Sequence, residues 1–332
     1  MKLSIIIVNW NSTEFLKQCV QSIVDTTRDL EFEVIVVDNA STDQSFHELA
    51  NRFPGVKLIC SPQNVGFACA NNLGEEHATG ANLLFLNPDT LVRGNAIRTM
   101  LLVLQSSTEL GAVGCRLLNG DGTLQTSCVQ PFPNILNQVL AIDWVQRRLP
   151  QLAFWGKGPL YAKGHASVAE VDVVSGACLM VKRDTFEHVG RFSDEYFMYA
   201  EEIDLCYKIR LAGLGIGYTG QAEVVHFGGQ STKKHGDGFS DMLMRDSIFK
   251  FLRKFRGLAY AWSYRLSLLA SASLRVLLLG LLLVMPPSMF DRDAVRFAFR
   301  KWCRIATWAL SLDRWVTLGQ ARPPAPANVK QA

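Results

Sequence analysis

The first ninety residues alternate between short β-branched apolar runs and helical stretches, with a polar turn at each junction. Leu3–Val8 and Phe32–Val37 carry one polar residue each, which predicts strands of a parallel sheet covered by helices. Between them Phe15, Leu16, Cys19, Val20 and Ile23 recur at helical spacing and predict an amphipathic helix. Val56–Cys60 and Leu83–Leu86 predict two more strands, and Ala112–Leu118 and Val171–Val181 read as further strand-like segments. The alternation predicts an α/β architecture: a Rossmann-like, mostly parallel central sheet with flanking helices. The Trp- and Pro-containing stretch Gln130–His165 has no element assigned and is a candidate acceptor-side loop. A helix follows Arg191–Tyr199 and is expected to stop at Gly213, and Val224-Val225-His226-Phe227-Gly228-Gly229 reads as a strand end running into a loop.

In open α/β sheets ligands collect beyond the carboxyl ends of the strands. Here those ends are strongly polar: Asn9-Trp10-Asn11, Asp38-Asn39-Ala40-Ser41-Thr42-Asp43, Asn64-Val65-Gly66 and Asn87-Pro88-Asp89. Turn formation accounts for one or two such clusters, whereas four along one edge favour a polar ligand. No G-x-G-x-x-G follows the first strand and no G-x-x-x-x-G-K-[ST] is present, which removes the main support for hydride transfer and ATPase chemistry.

The pattern changes toward the C-terminus. Leu266–Met285 is mostly apolar and of about membrane-spanning length, but Arg275 sits at its middle with Ser267, Ser271 and Ser273 nearby. A mid-span Arg costs about 2.5–3.5 kcal/mol, and the uninterrupted part, Val276–Met285, is about half a span, so an interfacial or partly inserted helix is expected. Pro286-Pro287 should break it. Beyond them Val295, Ala298, Trp302, Ile305, Ala309, Leu312 and Val316 follow a three-four spacing opposite Arg292, Arg296, Arg300 and Arg304. An apolar face with one Trp and a cationic face suit an anionic membrane surface, where each Lys or Arg adds about 1 kcal/mol. The alternative is a helix packed on the rest of the chain or at a dimer interface.

Charge sharpens this division: the net +4 splits into −6 over residues 1–250 and +10 over residues 251–332. The expected domains are 1–250, a helical membrane-association segment at 251–320 and a disordered Pro/Ala-rich tail at 321–332. Nucleic acid is a poor partner for the basic segment, because one side of its helix is apolar. A content of 48% apolar and 19% charged residues excludes disordered, collagen-like and disulfide-scaffold classes. The eight cysteines form no C-x-x-C pair and no signal peptide is evident, so reduced, mostly buried thiols in a cytosolic protein are expected and structural zinc is not.

The ordered motifs S-I-I-I-V-N-W-N, V-I-V-V-D-N-A-S-T-D, N-V-G-F-A-C-A-N-N-L-G, L-F-L-N-P-D-T, Y-A-E-E-I-D-L-C and H-F-G-G-Q-S resemble the inverting family-2 glycosyltransferases of GT-A fold, most closely the bacterial rhamnosyltransferase-like branch. The resemblance covers about residues 3–235 and implies a nucleotide-diphosphate-sugar donor. On it, Asn9, Asn11, Asp38, Asn39, Asn64, Gly66, Asn72 and Asp89 are the expected nucleotide-sugar-binding residues. Asp38 would accept the imino hydrogen of uracil or thymine, and Gly66 would let the backbone approach the ligand. Asn87-Pro88-Asp89 occupies the place of the family's D-x-D motif, which implies Mg²⁺ or Mn²⁺ held by Asp89, with His226 completing the metal shell. Asn87 replaces the first Asp and removes one negative charge.

Glu201-Glu202 stands where the family carries Glu-Asp, which makes Glu202 the candidate catalytic base, with Glu201 and Asp204 as alternatives. The implied reaction is transfer of one sugar, with dTDP-L-rhamnose the favoured donor and a UDP-sugar the other, onto a lipid-linked or cell-surface glycan acceptor. The implied setting is the cytoplasmic face of the plasma membrane, peripheral or monotopic, with a homo-oligomer left open. Two other readings stay open: a non-catalytic membrane-associated scaffold, and a nucleotidyltransferase, which would need a basic glycine-rich loop that Asn9–Ser12 does not provide.

Overall fold

The computed structural model describes residues 2–42, 48–140, 155–161, 168–228, 239–285 and 291–310. Asp43, Gly229, Pro286, Pro287, Leu312, Val316, the 321–332 tail and much of Gln130–His165 lie outside them. The chain divides into two compact units, Met1–Asp237 and Gly238–Ala332.

The first unit opens with β1 (Leu3–Asn9), α1 (Thr13–Thr26), β2 (Phe32–Asp38), α2 (Glu48–Arg52), β3 (Val56–Cys60), α3 (Phe67–Glu76) and β4 (Asn82–Leu86). It continues through β5 (Thr90–Val92), α4 (Ala96–Ser106), β6 (Leu110–Leu118), β7 (Val129–Gln130), α5 (Ile135–Val139), β8 (Val168–Glu170) and β9 (Val173–Val174). β10 (Cys178–Lys182), α6 (Arg183–His188), α7 (Glu201–Leu211) and β11 (Gly215–His226) complete it. The main sheet has the order β3-β2-β1-β4-β10-β6-β11-β5, with β8 on β11, while β7 and β9 pair separately.

Parallel pairing of β1 with β2 and β4, and of β2 with β3, buries β1 completely. Leu16, Cys19, Val20 and Ile23 of α1 are fully buried, and full burial of each aliphatic side chain contributes about 1.5–3 kcal/mol. Phe15, which the spacing put on the same face, instead lies 5.5 Å from the Phe227 ring. Gly213, at φ +81°, ends α7 with its N–H on the Arg210 carbonyl at 3.0 Å.

Register decides where the chemistry gathers. Asn9 lies opposite Asp38, and Asp38 opposite Cys60, so the polar residues after these strands emerge along one edge. β10 runs antiparallel between β4 and β6, and β11 pairs antiparallel with β5 so that His226 lies opposite Thr90. Asp89 and His226, far apart in sequence, thereby become neighbours. The expected strand Val171–Val181 is broken: Val173–Val174 joins the small sheet, Cys178–Lys182 the main one, and Ser175-Gly176-Ala177 turns between them. Ala177 N–H donates to Ser175 Oγ at 3.2 Å inside that turn.

The second unit contains α8 (Phe239–Arg256), α9 (Leu258–Val284) and α10 (Arg292–Ala309). The expected boundary at residue 250 falls within α8. Gly257, at φ +88°, separates α8 from α9, whose 27 residues span about 40 Å at 1.5 Å rise per residue. By length and composition α9 can cross a membrane. The apolar face expected of α10 does not stand open. Ile305, Trp308 and Ala309 are buried, the Arg275 guanidinium sits 4.0 Å from the centroid of Trp302, and that of Arg265 sits 4.6 Å from Trp308. The mid-helix Arg of α9 is therefore placed on an aromatic face within the unit. The large apolar side chains left exposed are chiefly on α9: Leu266, Leu274, Leu277, Leu278, Leu281 and Val284.

All eight cysteines are free, and Cys19, Cys115, Cys128, Cys178 and Cys206 are buried, as the scattered spacing implies.

Candidate active site

The ends of β1, β2 and β3 are stapled together by short polar side chains. Asn9 Nδ2 donates to Asp38 Oδ1 at 3.0 Å, and the Ser41 amide donates to Asp38 Oδ2 at 3.1 Å. Asn11, at φ +52°, accepts from the Thr42 amide at 2.8 Å. Asn39 Nδ2 donates to Asn64 Oδ1 at 2.9 Å while Asn39 Oδ1 accepts from the Val65 amide at 3.0 Å. The segment after β3 is thus shaped by side chains of the segment after β2.

A cavity of about 230 Å³ opens beside these staples. Asn39, Asn64, Gly66, Asp89, Glu202 and His226 all line it, together with Trp10, Asn87, Ser175–Ala177, Met198, Tyr199 and Glu201. Asn9, Asn11, Asp38 and Asn72 do not. Asn9 and Asp38 form the strand-end staple, in which each Asp38 oxygen accepts one bond and keeps further acceptor capacity. The Asn72 amide is turned away: it donates to the Phe192 carbonyl at 2.8 Å, and Asn72 borders a separate cleft with Cys69 and Arg191. Gly66 is also required by packing within the chain. At φ +84°, a Cβ there would lie 2.4 Å from the Phe197 carbonyl oxygen, which accepts the Phe67 amide at 2.7 Å. Its missing side chain admits the Phe197 backbone, and Gly66 still lines the cavity as the expected nucleotide-side residue.

One wall of the cavity carries a carboxylate and an imidazole face to face. His226 Nε2 lies 3.3 Å from Asp89 Oδ1, and His226 Nδ1 lies 2.8 Å from Gln125 Oε1. Gln125 Nε2 donates to Asn119 Oδ1 at 3.2 Å, which fixes its amide so that Oε1 accepts the Nδ1–H. The Nε2 lone pair is then presented to the Asp89 oxygen. Asn87 Nδ2 approaches the same nitrogen at 3.3 Å, and Asn87 Oδ1 is buried without a hydrogen-bond partner. Two lone pairs facing each other beside an unsatisfied oxygen form a donor set of the kind that accepts a divalent cation, so these residues fit the metal that the D-x-D-like motif implies. Among the described residues no group of three His, Cys, Asp or Glu gathers elsewhere or here.

The opposite chemistry comes from the start of α7. Tyr199 and Ala200 both hold positive φ, 69° and 65°, a strained entry that costs on the order of 1–3 kcal/mol per residue. Glu201 and Glu202 follow, 5% and 9% exposed, each with one oxygen lacking a partner. Burial pushes the Glu202 carboxyl up to about 7, while the amides of Glu202, Ile203 and Ala200 pull the other way. Burial, and then the neighbouring Glu202, raises Glu201 well above the usual carboxylate range. Asp204, the third acidic candidate, is fully buried and engaged by Ser193 Oγ at 2.7 Å, Tyr196 Oη at 3.2 Å and Lys208 Nζ at 3.0 Å. It does not line the cavity, and its role is to hold the Arg191–Tyr199 loop onto α7.

Sequence reasoning missed the Ser175–Ala177 wall and the Gln125 brace. A Ser-Gly step inside a β-branched run was the available signal for the first. Nothing local marks Gln125, whose function depends on pairing across 101 residues.

The family model described as glycosyl transferase family 2 matches residues 4–190. The chain belongs to that family. Among relatives of this family 2 glycosyltransferase, the low-salt glycan biosynthesis hexosyltransferase Agl10 of Haloferax volcanii is 28% identical over 228 residues, 68% of this chain and 66% of its own length. The N-acetylglucosaminyl-diphospho-decaprenol L-rhamnosyltransferase of Mycobacterium tuberculosis is 29% identical over 214 residues, 60% of this chain and 67% of its own. The chain thus spans about two thirds of the length of these relatives. The crystal structure of GalNAc-T7 with UDP, GalNAc and Mn²⁺ aligns with 98% of this chain and 58% of its own at a TM-score of 0.59 and 15% identity, which establishes the GT-A fold.

Proposed function

We propose that the chain is an inverting glycosyltransferase that moves a hexose, L-rhamnose in our reading, from a dTDP- or UDP-sugar to a hydroxyl of a lipid-linked or cell-surface glycan. The observation that carries the reading is one cavity at the strand ends that holds both the Asp89–His226 pair and the buried carboxyl of Glu202. The mycobacterial relative's name supplies the sugar and the lipid-linked class of acceptor. The Mn²⁺ and UDP in the GalNAc-T7 crystal support a metal-held nucleotide diphosphate.

Asp89 and His226 would hold Mg²⁺ or Mn²⁺, with Asn87 Oδ1 beside them, and the bound ion would neutralise charge building on the leaving nucleoside diphosphate. Glu202 takes the proton of the acceptor hydroxyl as that oxygen bonds to the anomeric carbon, and the diphosphate departs from the opposite face. Asn39, Asn64 and the Gly66 backbone line the nucleotide side, and Asp38 acts through the staple that fixes them. The setting is the cytoplasmic face of a membrane: the exposed leucines of α9 enter the interface and the arginines of α10 lie at the level of anionic headgroups.

Calorimetric titration of the full chain with UDP, dTDP, GDP and CMP, with and without Mn²⁺, tests the reading. Mn²⁺-dependent binding of dTDP or UDP is expected. Absence of binding for all four would overturn it.

A further inference from the structure

Glu201 has no part in the steps above, yet it is buried deeper than the base beside it. It lines the same cavity, and its Oε2 has no hydrogen-bond partner among the described residues. No Lys or Arg is among the described residues that line that cavity. The titratable groups that act on it are Glu202 and Asp204 on its own helix and Tyr196 ahead of that helix, while Asp89, His226 and Tyr199 line the same cavity. Burial and the neighbouring Glu202 both disfavour the ionised form of Glu201, so the pair holds a proton more readily than an ordinary carboxylate pair. The surroundings are unequal: amides of three residues act on the Glu202 carboxyl, and only its own amide acts on that of Glu201. The negative charge belongs on Glu202 and the proton on Glu201.

A neutral carboxyl offers one O–H donor and one carbonyl acceptor, the complement of a sugar hydroxyl, which both donates and accepts. Direct displacement aligns the base, the acceptor oxygen and the anomeric carbon. Glu201 and Glu202 line one cavity of about 230 Å³, so the carboxyl next to the base borders the space open to the sugar in transit. Resting on Glu202 as the base, we propose that Glu201 works as a neutral carboxylic acid that holds a hydroxyl of the transferred hexose by paired hydrogen bonds and so selects the donor sugar.

The test compares the full chain with Glu201→Gln, Glu201→Leu and Glu202→Gln. Release of nucleotide from dTDP-L-rhamnose is followed, or from UDP-N-acetylglucosamine where UDP binds in place of dTDP, alongside calorimetry of the nucleotide with Mn²⁺. Gln keeps a donor and an acceptor, so Glu201→Gln should retain kcat/KM within about 5-fold, whereas Glu202→Gln should lose at least about 100-fold. Glu201→Leu should lose about 50-fold or more, mainly as a raised KM for the sugar nucleotide, with nucleotide affinity unchanged. A Glu201→Gln enzyme as inactive as Glu202→Gln overturns the proposal, and this arm stands even where the Leu variant does not fold. A folded Glu201→Leu enzyme within 5-fold of wild type overturns it as well. If neither dTDP nor UDP binds the wild type, the proposed function fails and this inference fails with it; intact binding with either result above refutes the inference alone.

Discussion

Replacing Glu202 with Gln separates the two effects of burying this carboxyl. In the folded chain it titrates near 7 rather than at an ordinary 4.5, because burial strips water from the charged form. Each pH unit is worth about 1.4 kcal/mol, so keeping the ionised group in its place costs about 3 kcal/mol at pH 8. The folded value exceeds the unfolded one, so the folded state binds this proton more tightly. The associated stability is fully present below about 4.5 and is lost as pH rises through about 7. Gln has the same size and no charge to desolvate. At pH 8 the variant should therefore be the more stable protein by up to about 3 kcal/mol, roughly 6–12 °C in Tm, with the advantage gone by pH 5. Activity should move the other way. Wild-type kcat/KM should climb with pH through a midpoint near 7, and the variant should lose about 100- to 10,000-fold. Calorimetric melts at pH 5 and 8, paired with nucleotide-release rates from pH 5.5 to 8.5, supply both readings. A variant no more stable than wild type at pH 8, or a flat wild-type profile, would refute the reasoning.

Asp89→Ala should abolish the Mn²⁺-dependent part of dTDP or UDP binding and leave the melting temperature within a few degrees; unaltered titration curves would dismiss the metal assignment. Gly66→Ala combines about 1–2 kcal/mol of left-handed strain with a Cβ set 2.4 Å from the Phe197 carbonyl oxygen, so scanning calorimetry should register a Tm loss of about 4 °C or more. Asp204→Asn removes the charge that Lys208, Ser193 and Tyr196 surround, and urea titration should record a loss of about 3–5 kcal/mol, far above that for an exposed carboxylate. For the second unit, Leu277→Asp with Leu281→Asp should release the chain from vesicles containing anionic lipid in a flotation assay, and continued co-flotation would reject the leucine face of α9 as the contact.

The strand pattern was legible where burial on both faces leaves little freedom in composition, as in Leu3–Asn9 and most of Phe32–Asp38; the edge strand Val56–Cys60, only partly covered, was marked by its apolar run alone. The polar residues after those strands were legible as a group, but their individual tasks were not. Asp38 and Asn72 carry the same side-chain chemistry as residues on the cavity wall, and only tertiary structure shows them occupied in stapling loops. Gly66 repeats the lesson at the backbone: a positive φ was foreseeable, whereas the Phe197 segment that needed the space is remote in sequence.

The amphipathic reading of α10 holds, with Ile305 and Ala309 buried and Arg296, Arg300 and Arg304 exposed, but periodicity says nothing about what covers the apolar face. Here Arg275 was counted as a defect in one helix and Trp302 as the membrane-facing residue of another, and the two are partners at 4.0 Å. A guanidinium on an indole face keeps its charge while shedding much of its hydration, so the feature that argued against a full span for α9 is partnered by the Trp of the neighbouring helix. Within this unit α10 supplies the aromatic platform and the outward arginines, and the leucines of α9, freed from carrying an unpartnered charge, form the apolar surface that remains to be covered.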